Sequence, residues 1–208
     1  MSHGHRATQP TSRQAIAEQA TRLFRRKGYR ATSLEDVAAE FGISRPALYY
    51  HFRSKREILY TIYRSVSDQL IQGAHEIYEM DLPPGEKFRR LVRYHANTIL
   101  NNADRMAVYY DEEVELGEAE RAEVRKTRRR YTEMLIDVYR EAVEAGHCVD
   151  LPPKLAVHII IGACNWAYKW YDPAGPTTPE EMTNIVERLL MDGYVSRVTT
   201  RSEVAKEV

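Results

Sequence analysis

Thr32-Ser33-Leu34-Glu35-Asp36-Val37-Ala38, then Gly42-Ile43-Ser44-Arg45-Pro46-Ala47-Leu48-Tyr49-Tyr50-His51-Phe52, closed by Ser54-Lys55-Arg56-Glu57, is the stretch whose reading decides the fold. Ser33 with Asp36 three residues on has the form of a capping box, so a helix starts there with Val37, Ala38 and Phe41 as its apolar positions. Gly42 ends it, because glycine takes the left-handed conformation that terminates helices, and Ser44 is a ready N-cap for the next helix. Only a three-residue turn separates the two, so they cross steeply. Arg45 and Pro46 fall in the second helix's first turn, where proline's missing N–H had no intrahelical partner to lose. Leu48 and Phe52, four apart, anchor that helix inward. Arg45, Ala47, Tyr49, Tyr50 and His51 are left facing outward. Such a face suits the major groove of DNA, where Arg reads guanine edges while hydroxyls and imidazoles bind phosphate.

Working outward, the chain reads as helix almost throughout. Residues 1–11 are polar and predicted to be disordered; from Ser12, Ile16, Ala20, Leu23 and Phe24 recur at helical spacing until Gly28 stops the run. Ser54 and Glu57 form a second capping-box pattern and open a long helix through Ile58, Leu59, Ile62, Val66 and Leu70 to about Glu79. Pro83-Pro84-Gly85 breaks the chain, and periodicity resumes through Phe88, Leu91, Val92, His95 and Ile99. After Asn101-Asn102, Asp104 opens a segment up to Gly117, and a charged helix runs from Glu118 to Ala145. Pro152-Pro153 starts a helix with Leu155, Ala156, Ile159, Ile160, Ile161, Ala163 and Cys164, apolar on several faces and so in need of two neighbours; Thr178-Pro179-Glu180-Glu181 starts the last. No strand alternation appears, so the predicted class is all-α. The divisions are a tail over 1–11, a three-helix helix-turn-helix unit over 12–58, a helical body over 59–200, and a tail over 201–208.

Lys plus Arg number 30 and Asp plus Glu number 30, a formal balance of zero that at first argues against a nucleic-acid partner. The distribution reverses that impression. Residues 1–60 hold eleven Lys/Arg against five Asp/Glu, a balance of +6 that leaves −6 for the rest. A basic head on an acidic body concentrates attraction where phosphates bind. No apolar stretch approaches the ~20 residues of a membrane span and the N-terminus lacks a signal-peptide core, so no membrane partner and a cytoplasmic location are expected. Cys148 and Cys164 lack ligand spacing and read as packing residues. His75-Glu76-Ile77-Tyr78-Glu79 lacks the second His of a zinc-protease motif, and no phosphate loop, nucleophile elbow or Cys-x-x-Cys is present. Asp111, Glu112 and Glu115 have the spacing to gather a hard cation, though a solvated charge run is their default reading. The sequence implies neither an enzyme nor a cofactor.

The run from Gly28-Tyr29 and Ala31-Thr32-Ser33 to Leu48-Tyr49-Tyr50-His51-Phe52 and Lys55 resembles the DNA-binding signature of TetR-family transcriptional repressors over roughly residues 12–60. With the face derived above, the candidate DNA contacts are Thr32, Ser33, Ser44, Arg45, Pro46, Ala47, Tyr49, Tyr50, His51 and Lys55. Lys55, at a helix N-terminus, is expected to hold backbone phosphate. Glu35 departs from the family's founding members, which place a basic residue early in that helix, so base reading rests on the second helix. The resemblance implies a homodimer on a palindromic double-stranded operator, joined through the last two helices. Trp166-Ala167-Tyr168-Lys169-Trp170-Tyr171 and Tyr109-Tyr110-Asp111-Glu112-Glu113 resemble a subgroup relieved by acyl-coenzyme A thioesters. Tyr94, Tyr109, Tyr110, Tyr131, Trp166 and Trp170 are accordingly the candidate ligand-binding residues, with Arg125-Lys126 and Arg128-Arg129-Arg130 available to thioester phosphates. The alternative is a drug-sensing regulator of an efflux transporter.

Overall fold

The computed structural model describes residues 12–192, and among them every regular element is helical. The tails at 1–11 and 201–208, and the end of the body beyond Asp192, lie outside the described residues. Three short helices form the head: α1 (Arg13–Lys27), α2 (Leu34–Phe41) and α3 (Arg45–His51). Each begins as its sequence dictates. Ser12 Oγ accepts from Ala15 N, Ser33 and Asp36 close a reciprocal capping box, and Ser44 Oγ accepts from Ala47 N. Gly42 sits at φ +71° and turns the chain between α2 and α3, a conformation that a side chain would strain. Ile16, Ala20, Phe24, Val37, Leu48 and Phe52 meet beneath these helices with almost no exposure.

The body follows as α4 (Lys55–Tyr78), α5 (Pro84–Asn101), α6 (Ala103–Asp111), α7 (Glu118–Glu144), α8 (Pro153–Asn165) and α9 (Pro179–Asp192). The division between residues 58 and 59 falls inside the first turns of α4, which runs unbroken from the head into the body. Its buried stripe of Ile58, Leu59, Ile62, Val66 and Leu70 packs on α1 at one end and on α5 and α7 along its length. Gly73 lets α5 come close: a Cβ there would lie 2.2 Å from the Tyr94 ring. The segment from Asp104 to Gly117 is split, α6 ending at Asp111 and a 3-10 turn covering Glu113–Glu115. Asp111, Glu112 and Glu113 put negative charge at the C-terminal end of a helix dipole, which favours stopping there. Arg89 and Arg93 of α5 reach Glu187 of α9 at 3.1 and 2.7 Å, pinning the last helix to the body.

One face of α8 has no cover. Leu155, Ile159 and Trp166 are 61, 68 and 63 % exposed. Their spacing of four and seven residues lines them up along one side of α8 and the 3-10 turn Trp166–Lys169 that continues it. Ile160 and Ile161 instead pack partly against the core.

Candidate nucleic-acid interface and ligand pocket

On α3, Leu48 and Phe52 are fully buried, which forces the intervening side chains outward. Tyr50 is 87 % exposed and Tyr49 48 %, while Arg45 and Pro46 are exposed and Ala47 and His51 half-buried. The Arg45 guanidinium is held at 2.7 Å by Glu35 of α2, so the departure noted in the sequence orients the arginine across the turn. Arg13 caps the far end of α3. Its guanidinium lies 4.3 Å over the Phe52 ring, donates to the His51 carbonyl and pairs with Glu57 at 2.9 Å. Nothing in the local sequence marks that contact, because its partners lie 38 to 44 residues away.

Two candidate contacts are turned inward. Thr32 is buried and its Oγ1 donates to the Gly28 carbonyl at 2.7 Å, closing the loop after α1. Lys55 Nζ donates to the carbonyls of Tyr29 and Thr32, each at 2.6 Å, and of Arg30 at 3.3 Å, and lies 4.3 Å over the Tyr29 ring. An ammonium has three N–H donors, and all are engaged, so none is left for a phosphate. Lys55 is therefore a clamp on the α1–α2 loop, which is a correction to the expectation from its helix-terminal position. Desolvation lowers its pKa from the usual lysine value. Ser33 and Ser44 stay exposed as helix caps, and Asp36 is held well below the usual carboxylate range by Lys27 at 2.7 Å and by Ser33.

A half-open cavity of about 40 Å³ lies in the body where α4, α5, α6, α7 and α8 converge. Tyr109, Tyr110 and Tyr131 line it with Ser67, His95, Arg128 and Asn165. His95 Nδ1 lies 2.8 Å from Tyr131 OH and Nε2 lies 2.9 Å from Asn165 Oδ1. Burial pushes His95 down to about 4, so the ring is neutral near pH 7. An amide oxygen only accepts, so Nε2 carries the proton and Tyr131 donates to Nδ1. Arg128 is balanced by Glu113 at 3.1 Å. Tyr109 stacks on Tyr63, their centroids 4.6 Å apart, and Tyr110 on Tyr168 at 5.0 Å.

Three of the six candidate ligand residues lie elsewhere. Tyr94 OH donates to the Gln69 carbonyl at 2.6 Å and lines a separate open cleft with Arg90, Arg93 and Thr178. Trp166 and Trp170, 63 and 58 % exposed, point away from the cavity because Cys164 and Ala167 fill the inward positions. Arg125, Lys126, Arg129 and Arg130 are exposed, leaving Arg128 as the member of that run on the cavity wall. Two of the three acids are held in ion pairs, Asp111 with Lys169 and Glu115 with Arg30, both at 2.7 Å. His95, Ser67 and Asn165 were not expected at the site. A histidine among the apolar positions of α5 was the available signal, since a buried imidazole requires partners.

The profile of the bacterial regulatory proteins of the tetR family matches residues 10–62, and that of the tetracyclin repressor-like C-terminal domain matches residues 81–194, more than half of the chain. The chain belongs to the TetR family. Members are transcriptional regulators and not enzymes. Among TetR relatives, the transcriptional repressor KstR2 of Mycobacterium tuberculosis is 28 % identical over 169 residues, covering 80 % of this chain and 84 % of that protein. A TetR/AcrR-family regulator from Thermobifida fusca is 38 % identical over 88 % of this chain and 98 % of its own, with a TM-score of 0.73. PfmR from Thermus thermophilus, also a TetR regulator, is 32 % identical over 87 and 99 % of the two chains, with a TM-score of 0.80. Among the described residues no helix is long and apolar enough to cross a membrane.

Proposed function

We propose that this TetR-family repressor works in the cytoplasm as a homodimer on a palindromic operator and is released when an apolar or acyl-thioester effector enters the body. The observation that carries the reading is the path of α4, which begins at the Lys55 clamp behind the DNA-reading helices and passes Ser67 and Leu70 on the wall of the aromatic cavity. A ligand that moves the wall moves the head. Operator contact falls to Arg45, Pro46, Ala47, Tyr49, Tyr50 and His51 on α3, with Ser33 and Ser44 beside it, and the uncovered face of Leu155, Ile159 and Trp166 takes a second copy.

At about 40 Å³ the cavity holds no more than a water or two, so an effector has to open it. Binding and rearrangement are thereby coupled, and a coupling of about 1–3 kcal/mol lowers operator affinity 5- to 150-fold. The test is anisotropy of a labelled operator, selected from random DNA with this protein, during titration with medium- and long-chain acyl-CoAs against free CoA. Release by the thioesters alone supports the reading. A protein that stays bound throughout, or responds equally to free CoA, defeats it.

A further inference from the structure

Glu35 and Arg45 meet across the turn between α2 and α3, a terminal guanidinium nitrogen lying 2.7 Å from a carboxylate oxygen. Both side chains are open to water, Arg45 at 65 % and Glu35 at 40 % exposure, and exposed ion pairs add little to stability. The other acids of the head serve its scaffold. Asp36 closes the cap of α2 and holds Lys27, Glu40 holds Arg26, Glu57 holds Arg13, and Glu18 accepts from Gln14 one turn back. Glu35 differs, because its partner is the first residue of the recognition helix, where side chains reach base edges.

An arginine at that place has two kinds of acceptor within reach when DNA is bound. A phosphate attracts it whatever the sequence and carries no sequence information, whereas the O6 and N7 atoms of guanine do. Glu35 treats the two differently. A phosphate takes Arg45 by its charge, which the carboxylate already offsets and which the side chain must leave Glu35 to offer. Guanine takes it by N–H groups, of which a guanidinium has five, and the pair uses only one terminal nitrogen. A contact that penalises the wrong partner more than the right one raises specificity without adding affinity.

We propose that Glu35 is a positioning residue that sets specificity: by holding Arg45 it keeps the guanidinium off phosphates and reserves it for a base edge, so that the head binds random DNA weakly. The inference rests on the reading above in which Arg45 contacts the operator, and it adds a residue that acts through Arg45.

Anisotropy with the full chain, on its selected operator and on a random duplex of equal length over a range of salt, tests this for Glu35→Gln, Arg45→Ala and the double variant. Glu35→Gln keeps the side chain's shape and removes its charge. It is expected to bind the random duplex about ten-fold tighter at low salt, with a slope of log affinity against log salt steeper by about 1 per protomer as each Arg45 gains a phosphate. Operator affinity should change by less than about three-fold, and the preference at the base pair that Arg45→Ala blurs should weaken. The gain on random DNA should vanish in the double variant, which simple relief of repulsion between Glu35 and phosphates would not produce. Unchanged random-duplex affinity in Glu35→Gln, a gain that persists in the double variant, or lost preference at a different base pair would each overturn the inference while leaving Arg45 on the operator. If Arg45→Ala alters neither operator nor random binding, the Arg45 contact and the inference fall together.

Discussion

Arg45 and Lys55 are two basic residues ten apart that the head uses in opposite ways. Arg45 is exposed and oriented by Glu35, so Arg45→Ala is expected to cost about 1–3 kcal/mol per half-site and to blur the preference at one base pair, read by binding to a panel of singly substituted operators. Uniform loss across the panel would make it a phosphate contact. Lys55 has spent its three donors on loop carbonyls. Lys55→Met should therefore lower the melting temperature and the operator affinity together, while the slope of log affinity against log salt stays at its wild-type value. A shallower slope would restore the phosphate role. His95 gives a third test. Its pKa is depressed in the folded chain to about 4 from about 6.5, so the unfolded chain takes up the proton first as pH falls. The stability from keeping this imidazole neutral is present above pH 6.5 and drains away between 6.5 and about 4, by about 3 kcal/mol in all. Urea midpoints across that window should fall more steeply for the wild-type protein than for His95→Gln, and parallel curves would contradict the buried neutral ring.

The helices of the head were legible because their signals are local. Ser33 with Asp36, Gly42, Ser44 and Ser54 satisfy or end backbone within four residues of themselves, so the caps stand where the sequence puts them. The fates of Thr32 and Lys55 are decided by carbonyls up to 26 residues away, and no local pattern encodes them. Trp166 and Trp170 misled for a different reason: pockets and subunit contacts both favour large aromatics, so density alone does not separate them. The turn after α6 carries a further expectation. Within three residues Glu113 holds Arg128 on the cavity wall and Glu115 holds Arg30 in the loop after α1. Arg30 is 81 % exposed, and exposed pairs contribute about 0–1 kcal/mol, so Glu115→Gln should leave the melt nearly unchanged. It should still reduce the factor by which effector weakens operator binding, since one of the ties between wall and head is gone. An unchanged factor would assign the coupling to α4 alone.

For the whole molecule, the proposed homodimer rests on the uncovered stripe on α8. Ile159→Glu places a charge at the centre of that stripe, and sedimentation should find a folded monomer with weak operator affinity; a dimer would move the contact elsewhere. Trp166 shares the stripe, so tryptophan emission should shift when Ile159→Glu separates the copies, making it a reporter of assembly more than of ligand. In a twofold dimer the recognition helices meet half-sites about 34 Å apart, one turn of DNA. Along α4, twelve residues separate Lys55 from Ser67, about 18 Å of rigid helix. A tilt of only about 5° at the cavity then swings the clamped loop by roughly 1.6 Å, and two copies swinging apart change the reach of the dimer by about 3 Å along those 18 Å arms. That approaches the 3.4 Å rise of one base pair, so an opening too small to unfold anything is enough to put both reading helices out of step with the groove.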